Sequence, residues 1–204
     1  MEANNIFLLT VQTIKKSFQD LYNNLFFNIT LSLLWTLSVF TILGIGPVWA
    51  GIYMVMIYTV QNSLVDYGDF WSGIKKYWVD GLLAFFILIF LILNTILSLN
   101  YILHSTEMIQ FIIALIYVAG IIYLLLAAQY ILPLVVKQDE SAFSALGISL
   151  NLVYNNLLFV LLIGLTKLIF LALFYLILPL GAVIGIVFLS LIGSNSLMLL
   201  LHND

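Results

Sequence analysis

Cysteine and arginine are both absent from this 204-residue chain, and there are only three prolines. Charge is scarce as well: six lysines and nine acidic residues, 7% of the chain. Without cysteine there is no disulfide, no thiol chemistry and no thiolate-bound metal. Without arginine there is no bidentate phosphate clamp, and an arginine-rich transit peptide is excluded. A soluble globular domain carries roughly 25% charged residues, so this one is not soluble. The net charge of −3 gives no electrostatic footprint for nucleic acid.

What the chain has instead is apolar length. Hydrophobic residues make up 64% of it. Five runs carry no charged side chain: Leu21–Val65, Gly81–Thr106, Met108–Val136, Ser141–Thr166 and Leu168–Asn203. Each can hold one or two spans of about 20 residues. The first run is too long for one span and breaks at Gly44-Ile45-Gly46-Pro47. Six spans are expected, over about 24–43, 47–65, 80–101, 107–133, 156–178 and 180–201. Pro179 and Gly181 punctuate the last pair. The fold class is therefore all-α: one polytopic membrane domain over 1–204, built as three hairpins. Residues 1–20 lack an apolar core with a cleavage site, so the first span is expected to be an uncleaved anchor.

The lysines orient the hairpins. Lys15 and Lys16, Lys75 and Lys76, and Lys137 precede or connect spans on one side, while the opposite turns carry none. The positive-inside rule puts that side, with both termini, in the cytoplasm.

Three segments resemble one another: Ile14–Leu34, Phe70–Phe90 and Leu146–Thr166. They define repeat units over 10–65, 69–133 and 140–201. Each opens with apolar residues at i, i+4 and i+8, namely Ile14, Phe18 and Tyr22, then Phe70, Ile74 and Trp78, then Leu146, Leu150 and Tyr154. Tyr-Asn-Asn recurs at 22–24 and 154–156. The expected element is a cytoplasmic amphipathic helix in the interface before each hairpin. Trp71, Tyr77 and Trp78 with Lys75 and Lys76 suit an interfacial belt. Two roles stay open for these helices: anchors that set depth and tilt, or surfaces that bind lipid or dock a partner.

Lys167 is the one charge expected inside a span. A lysine at the bilayer centre costs about 2.5–3.5 kcal/mol, so it should face the protein interior or water. Asn94, Gln129 and Asn195 join it as a candidate intramembrane site. Asn28, Gln61, Asn62, Ser194 and Ser196 add polarity near the inner face. If these side chains converge they line a vestibule; otherwise they bind helix to helix. Gly46 with Ala50, and Gly181 with Gly185, have the small-xxx-small spacing of close helix packing.

Nothing supports an enzyme. The two histidines, His104 and His202, fall on opposite faces, no carboxylate pair lies inside a span, and Ser194 and Ser196 have no adjacent base. Neither a metal nor any other cofactor is expected.

Two stretches resemble a known family. Thr41-Ile42-Leu43-Gly44-Ile45-Gly46-Pro47-Val48-Trp49-Ala50-Gly51-Ile52-Tyr53, followed by Asp69-Phe70-Trp71-Ser72-Gly73-Ile74-Lys75-Lys76, is similar to the YesL-type small integral membrane proteins of bacteria. The resemblance covers the first 80–90 residues. It departs at Gly44 and at Val48, where alanine is usual. It implies a multi-pass bacterial plasma-membrane protein, similar to ones encoded beside carbohydrate ABC transporters and glycan-degrading enzymes, and it implies no catalytic residues. The expected function is non-enzymatic: accessory or regulatory to carbohydrate uptake, with the bilayer and an ABC-transporter component as partners. The alternative is a small transporter or channel that uses Lys167.

Overall fold

In the computed structural model, residues 3–61, 63–104, 108–176 and 184–203 are described. They form ten α-helices and one 3-10 turn, with no strand among them. The helices are α1 (Ala3–Asn23), α2 (Leu25–Ser38), α3 (Ile45–Val60), α4 (Tyr67–Lys76), α5 (Trp78–His104), α6 (Met108–Ala128), α7 (Ile131–Gln138), α8 (Ala142–Asn155), α9 (Leu157–Leu176) and α10 (Ile186–Asn203). Asn62, Thr106 and the segment with Pro179 and Gly181 lie outside the described residues.

Three of the helix boundaries are kinks of one kind. A single residue separates α1 from α2, α4 from α5, and α8 from α9. Asn24 has φ −124° and ψ 39°, Tyr77 φ −106° and ψ 28°, and Asn156 φ −130° and ψ 34°. Each carbonyl still accepts the first bond of the next helix, from Asn28, Gly81 and Val160 at 2.8–3.0 Å. Two of the three kink residues are asparagine, whose short side chain can bond neighbouring backbone. Its side chain also bonds carbonyls beside the kink: Asn28 Nδ2 donates to Leu21 O at 3.0 Å, and Asn156 Nδ2 to Leu152 O at 3.4 Å. Asn28, a candidate vestibule residue by sequence, therefore secures the first kink. The bend between α1 and α2 is 95°.

Three helices are long and apolar enough to cross a membrane: Trp78–Ile102, Met108–Gln138 and Leu157–Phe174. The bent α1–α2 pair would make a fourth if taken as one span. Ile45–Val60 and Ile186–Leu201 are apolar but shorter. At 1.5 Å per residue the 16 residues of α3 extend about 24 Å, less than a hydrocarbon core of about 30 Å.

These short helices are the centre of the molecule. From Gly46 to Val60 and from Val187 to Leu197, α3 and α10 are buried on nearly every side, and they pack on each other. The three long helices are peripheral, with 17% of each apolar stretch buried. Their remaining surface is leucine, isoleucine and phenylalanine, which suits lipid contact.

Glycine permits the tight centre. A Cβ on Gly46 would collide with the Gly81 carbonyl, and a Cβ on Gly73 would stand 3.0 Å from the Gly51 Cα. The two sequence stretches that carry the family resemblance therefore touch, α3 lying against α4 and α5 backbone to backbone. Phe70, expected at the interface, is 1% exposed here, because Gly51 admits the α4 backbone and buries that turn against α3.

The helix near residue 130 breaks where Pro133 has no N–H to give the carbonyl of Gln129. Just before it, Tyr130 N bonds Ala127 O, a tighter i→i−3 bond, at 3.0 Å.

Candidate functional site

Lys167 leaves α9 and turns inward. Its Nζ lies 5.8 Å from the centre of the Tyr130 ring, within cation–π reach. A Cβ on Gly193 of α10 would stand 3.1 Å from both Lys167 Nζ and Tyr53 Oη. The missing side chain at 193 is thus the space that the ammonium and the phenol share. Tyr53, on α3, turns its hydroxyl to Ser190, whose Oγ also accepts from Trp49 Nε1 at 3.2 Å. The Tyr130 hydroxyl faces Ser196 without reaching hydrogen-bond geometry. Three elements (α3, the α6–α7 turn and α10) thereby bring two phenols and the Gly193 notch to the lysine of α9.

The other three members of the expected site do not join this cluster as a group. Asn94 Nδ2 donates to Phe90 O, and its Oδ1 accepts from Tyr117 at 3.2 Å. It lines a cavity of about 390 Å³ between α5 and α6, with Ser98, Tyr101 and Tyr117. Gln129 precedes Tyr130, and its buried Nε2 has no partner. Asn195 turns the other way, toward α1.

That second direction is a polar seam. Thr10, Thr13, Ser17 and Asp20 are all buried along one face of α1, against α10. The three hydroxyls bond the carbonyls of Ile6, Leu9 and Thr13 on their own helix at 2.8–2.9 Å, so the face is small and self-satisfied. Asn195 Nδ2 donates to Ser17 Oγ and to Asp20 Oδ2, both at 3.1 Å. The residues expected to form the stripe of α1 are elsewhere: Tyr22 is 78% exposed and Phe18 is half exposed, its ring against Phe170 and Phe188. Phe7, Leu8 and Val11 also point outward.

Two cavities flank the seam. One, of about 570 Å³, is lined by Gln12, Lys15, Lys16, Gln19, Asn195 and Met198 among others. The other, of about 280 Å³, is lined by Asp20, Asn23, Asn24, Thr59 and Ser63. A fourth cavity, of about 310 Å³, lies beside Asn5 and Gln12. None of these four cavities includes Lys167.

Tyr77 marks a third polar centre. Lys76 Nζ pairs with Asp139 Oδ1 at 2.9 Å, and the Tyr77 hydroxyl donates to the same oxygen at 3.1 Å. The Asp139 partner raises Lys76 above the ordinary lysine value, and Lys76 lowers Asp139 below the ordinary carboxylate value. Burial raises Tyr77. Asp139 sits in the left-handed region at φ 58° and ends α7. Nearby, Asp80 Oδ1 accepts from Ala142 N at 2.9 Å and caps α8. The second kink is thus fastened to the start of the third unit.

Trp71, Lys75, Lys76, Trp78 and Tyr154 are exposed. The last residue of each expected triad (Tyr22, Trp78 and Tyr154) stands outside its kink, at 78%, 46% and 78% exposure. No group of three or more metal-ligating side chains occurs among the described residues.

Protein-family models, curated proteins and solved structures give no match to this chain.

Sequence reasoning missed Tyr53, Tyr130, Ser190 and Gly193 around Lys167, and Ser17 and Asp20 beside Asn195. The 10, 13, 17, 20 spacing on α1 is a helical seam and was a usable signal. The Lys167 cluster had none, because its members come from four distant segments.

Proposed function

We propose that this chain is a non-enzymatic, multi-pass protein of a bacterial plasma membrane, accessory to carbohydrate uptake. In this reading six spans form three hairpins, α2–α3, α5 with α6–α7, and α9–α10. A cytoplasmic helix (α1, α4 or α8) leads into each, and both termini are cytoplasmic. The observation that carries the accessory role over a conduit is the packing around Lys167. Its ammonium lies within cation–π reach of the Tyr130 ring and beside the Tyr53 hydroxyl at the Gly193 notch. A lysine held beside two phenol side chains suits a scaffold. The family resemblance supplies the transport system. Affinity purification of the tagged chain from native membranes tests it: an ABC-transporter component should co-purify, and its absence under mild detergent sinks the proposal.

One observation favours a second reading, a small transporter. Lys167 faces inward although the surface of α9 is largely apolar and exposed. If Lys167 is a transport site, Lys167→Leu abolishes substrate uptake in vesicles while leaving the folded yield unchanged. Unchanged uptake removes this reading.

A further inference from the structure

The 570 Å³ cavity beside α1 has a composition that packing does not explain. Lys15 and Lys16 stand at its rim, both exposed. Gln12 and Gln19, one to two turns apart on the same helix, add amide donors. The floor is Met198 and Leu199 of α10, and Asn195, 3% exposed, closes the inner end. Lys15 has no ion pair, since Lys76–Asp139 is the salt bridge found among the described residues. Lys16 reaches only the Val60 carbonyl at the end of α3, at 3.5 Å. Asp20 follows Lys16 by four residues on the same helix. It is occupied by Asn195 and lines the neighbouring cavity rather than this one. The cavity therefore presents two uncompensated ammonium groups and several amides above an apolar floor.

Its position matters as much as its charge. The outward side of α1 is Phe7, Leu8, Val11 and Phe18, all exposed. A helix with that face lies at the membrane surface with its apolar side among acyl chains. The cavity opens beside it, with Lys15 and Lys16 in its lining.

We infer that the cavity formed by α1, α10 and the end of α3 binds a phosphate-bearing anion through Lys15 and Lys16. An acidic phospholipid headgroup fits best, with its glycerol on Met198 and Leu199 and its chains beside Phe7 and Val11. A free phosphate ester shares the same chemistry. A lysine near an anionic lipid surface contributes about 1 kcal/mol, so the pair corresponds to roughly 10- to 30-fold in affinity.

Native mass spectrometry of the full chain in detergent, titrated with phosphatidylglycerol, phosphatidylcholine and glycerol 1-phosphate, tests the assignment. Phosphatidylglycerol should bind at least about tenfold tighter than phosphatidylcholine. Lys15→Gln with Lys16→Gln should erase that preference, and both side chains are exposed, so folding is retained. Met198→Trp should fill the cavity and weaken binding with the charges intact. Lys75→Gln with Lys76→Gln, on the same face, should change nothing. Competition by glycerol 1-phosphate at similar affinity identifies a soluble ester as the ligand, and its failure to compete identifies the lipid. Equal binding of the two lipids overturns the proposal. So does an equal loss in the Lys75/Lys76 variant, or full binding by Met198→Trp, either of which means simple surface adsorption.

Discussion

Gly46 and Gly81 decide how closely α3 approaches α5. Any Cβ at either position meets backbone atoms of the other helix, which cannot swing aside as a side chain would. Gly46→Ala should therefore destabilise the protein by about 1–3 kcal/mol. Gly120 is the control, because a Cβ there meets nothing within 4 Å. Gly120→Ala should stay within about 0.5 kcal/mol of the parent. Thermal unfolding of both variants in detergent gives the comparison. Asp139 offers a residue-level test that depends on pH. Its carboxyl is held below the usual range by Lys76, so its contribution is complete above about pH 4. That contribution disappears as pH falls through the lowered value. Lys76 is shifted upward, so its side of the pair is intact at every pH below the ordinary lysine range. Asp139→Asn should therefore lower the melting temperature slightly at neutral pH, and the difference should vanish in acid. The effect is small because both side chains are more than half exposed.

Among the elements, α4 is short and depends on its ends. Asp66 Oδ1 accepts from Asp69 N and Asp69 Oδ2 from Asp66 N, both at 3.0 Å, a capping box with aspartate in both places. Lys75 and Lys76 occupy its last turn, where the helix dipole favours cations. Asp66→Ala should cost about 1 kcal/mol and raise amide exchange in Tyr67–Lys76 ahead of the rest of the chain. Uniform exchange would show that tertiary packing through Gly73 and Phe70 holds α4 instead. α1 carries a different lesson. Its sequence offers two faces at helical spacing, one apolar (Ile14, Phe18, Tyr22) and one small and polar (Thr10, Thr13, Ser17, Asp20). In water the apolar stripe turns inward. Beside lipid the apolar side can remain outside, and small hydroxyl residues make the close helix contact. The polar seam packs on α10 for that reason.

For the whole molecule, the lysine partition makes a prediction about sidedness. The chain has no cysteine, so single substitutions can be labelled without background. Lys15→Cys and Lys75→Cys should react with an impermeant maleimide only from the cytoplasmic side, and Leu43→Cys only from the opposite one. Labelling of Lys75 and Leu43 positions from the same side would overturn the three-hairpin arrangement. The packing accounts for two short helices at the centre. Three long apolar helices cover α3 and α10, so their ends need not reach both membrane surfaces.

The sequence alone determined what its local chemistry controls. Apolar length required helices suited to a membrane, and Tyr-Asn-Asn placed two of the three kinks. Pro133 was expected near the end of a helix and stands instead just past the break near residue 130, and the placing of the lysines predicts a side that labelling would test. The tertiary structure decided which faces meet. Ser17 meets Asn195, Gly46 meets Gly81, and Lys167 meets Tyr53 and Gly193, across separations of 26 to 178 residues that no periodicity reports. Apolar helices are alike in hydropathy, so burial in lipid does not choose among their faces. Small residues and hydrogen bonds make that choice, and they act only once the helices are side by side.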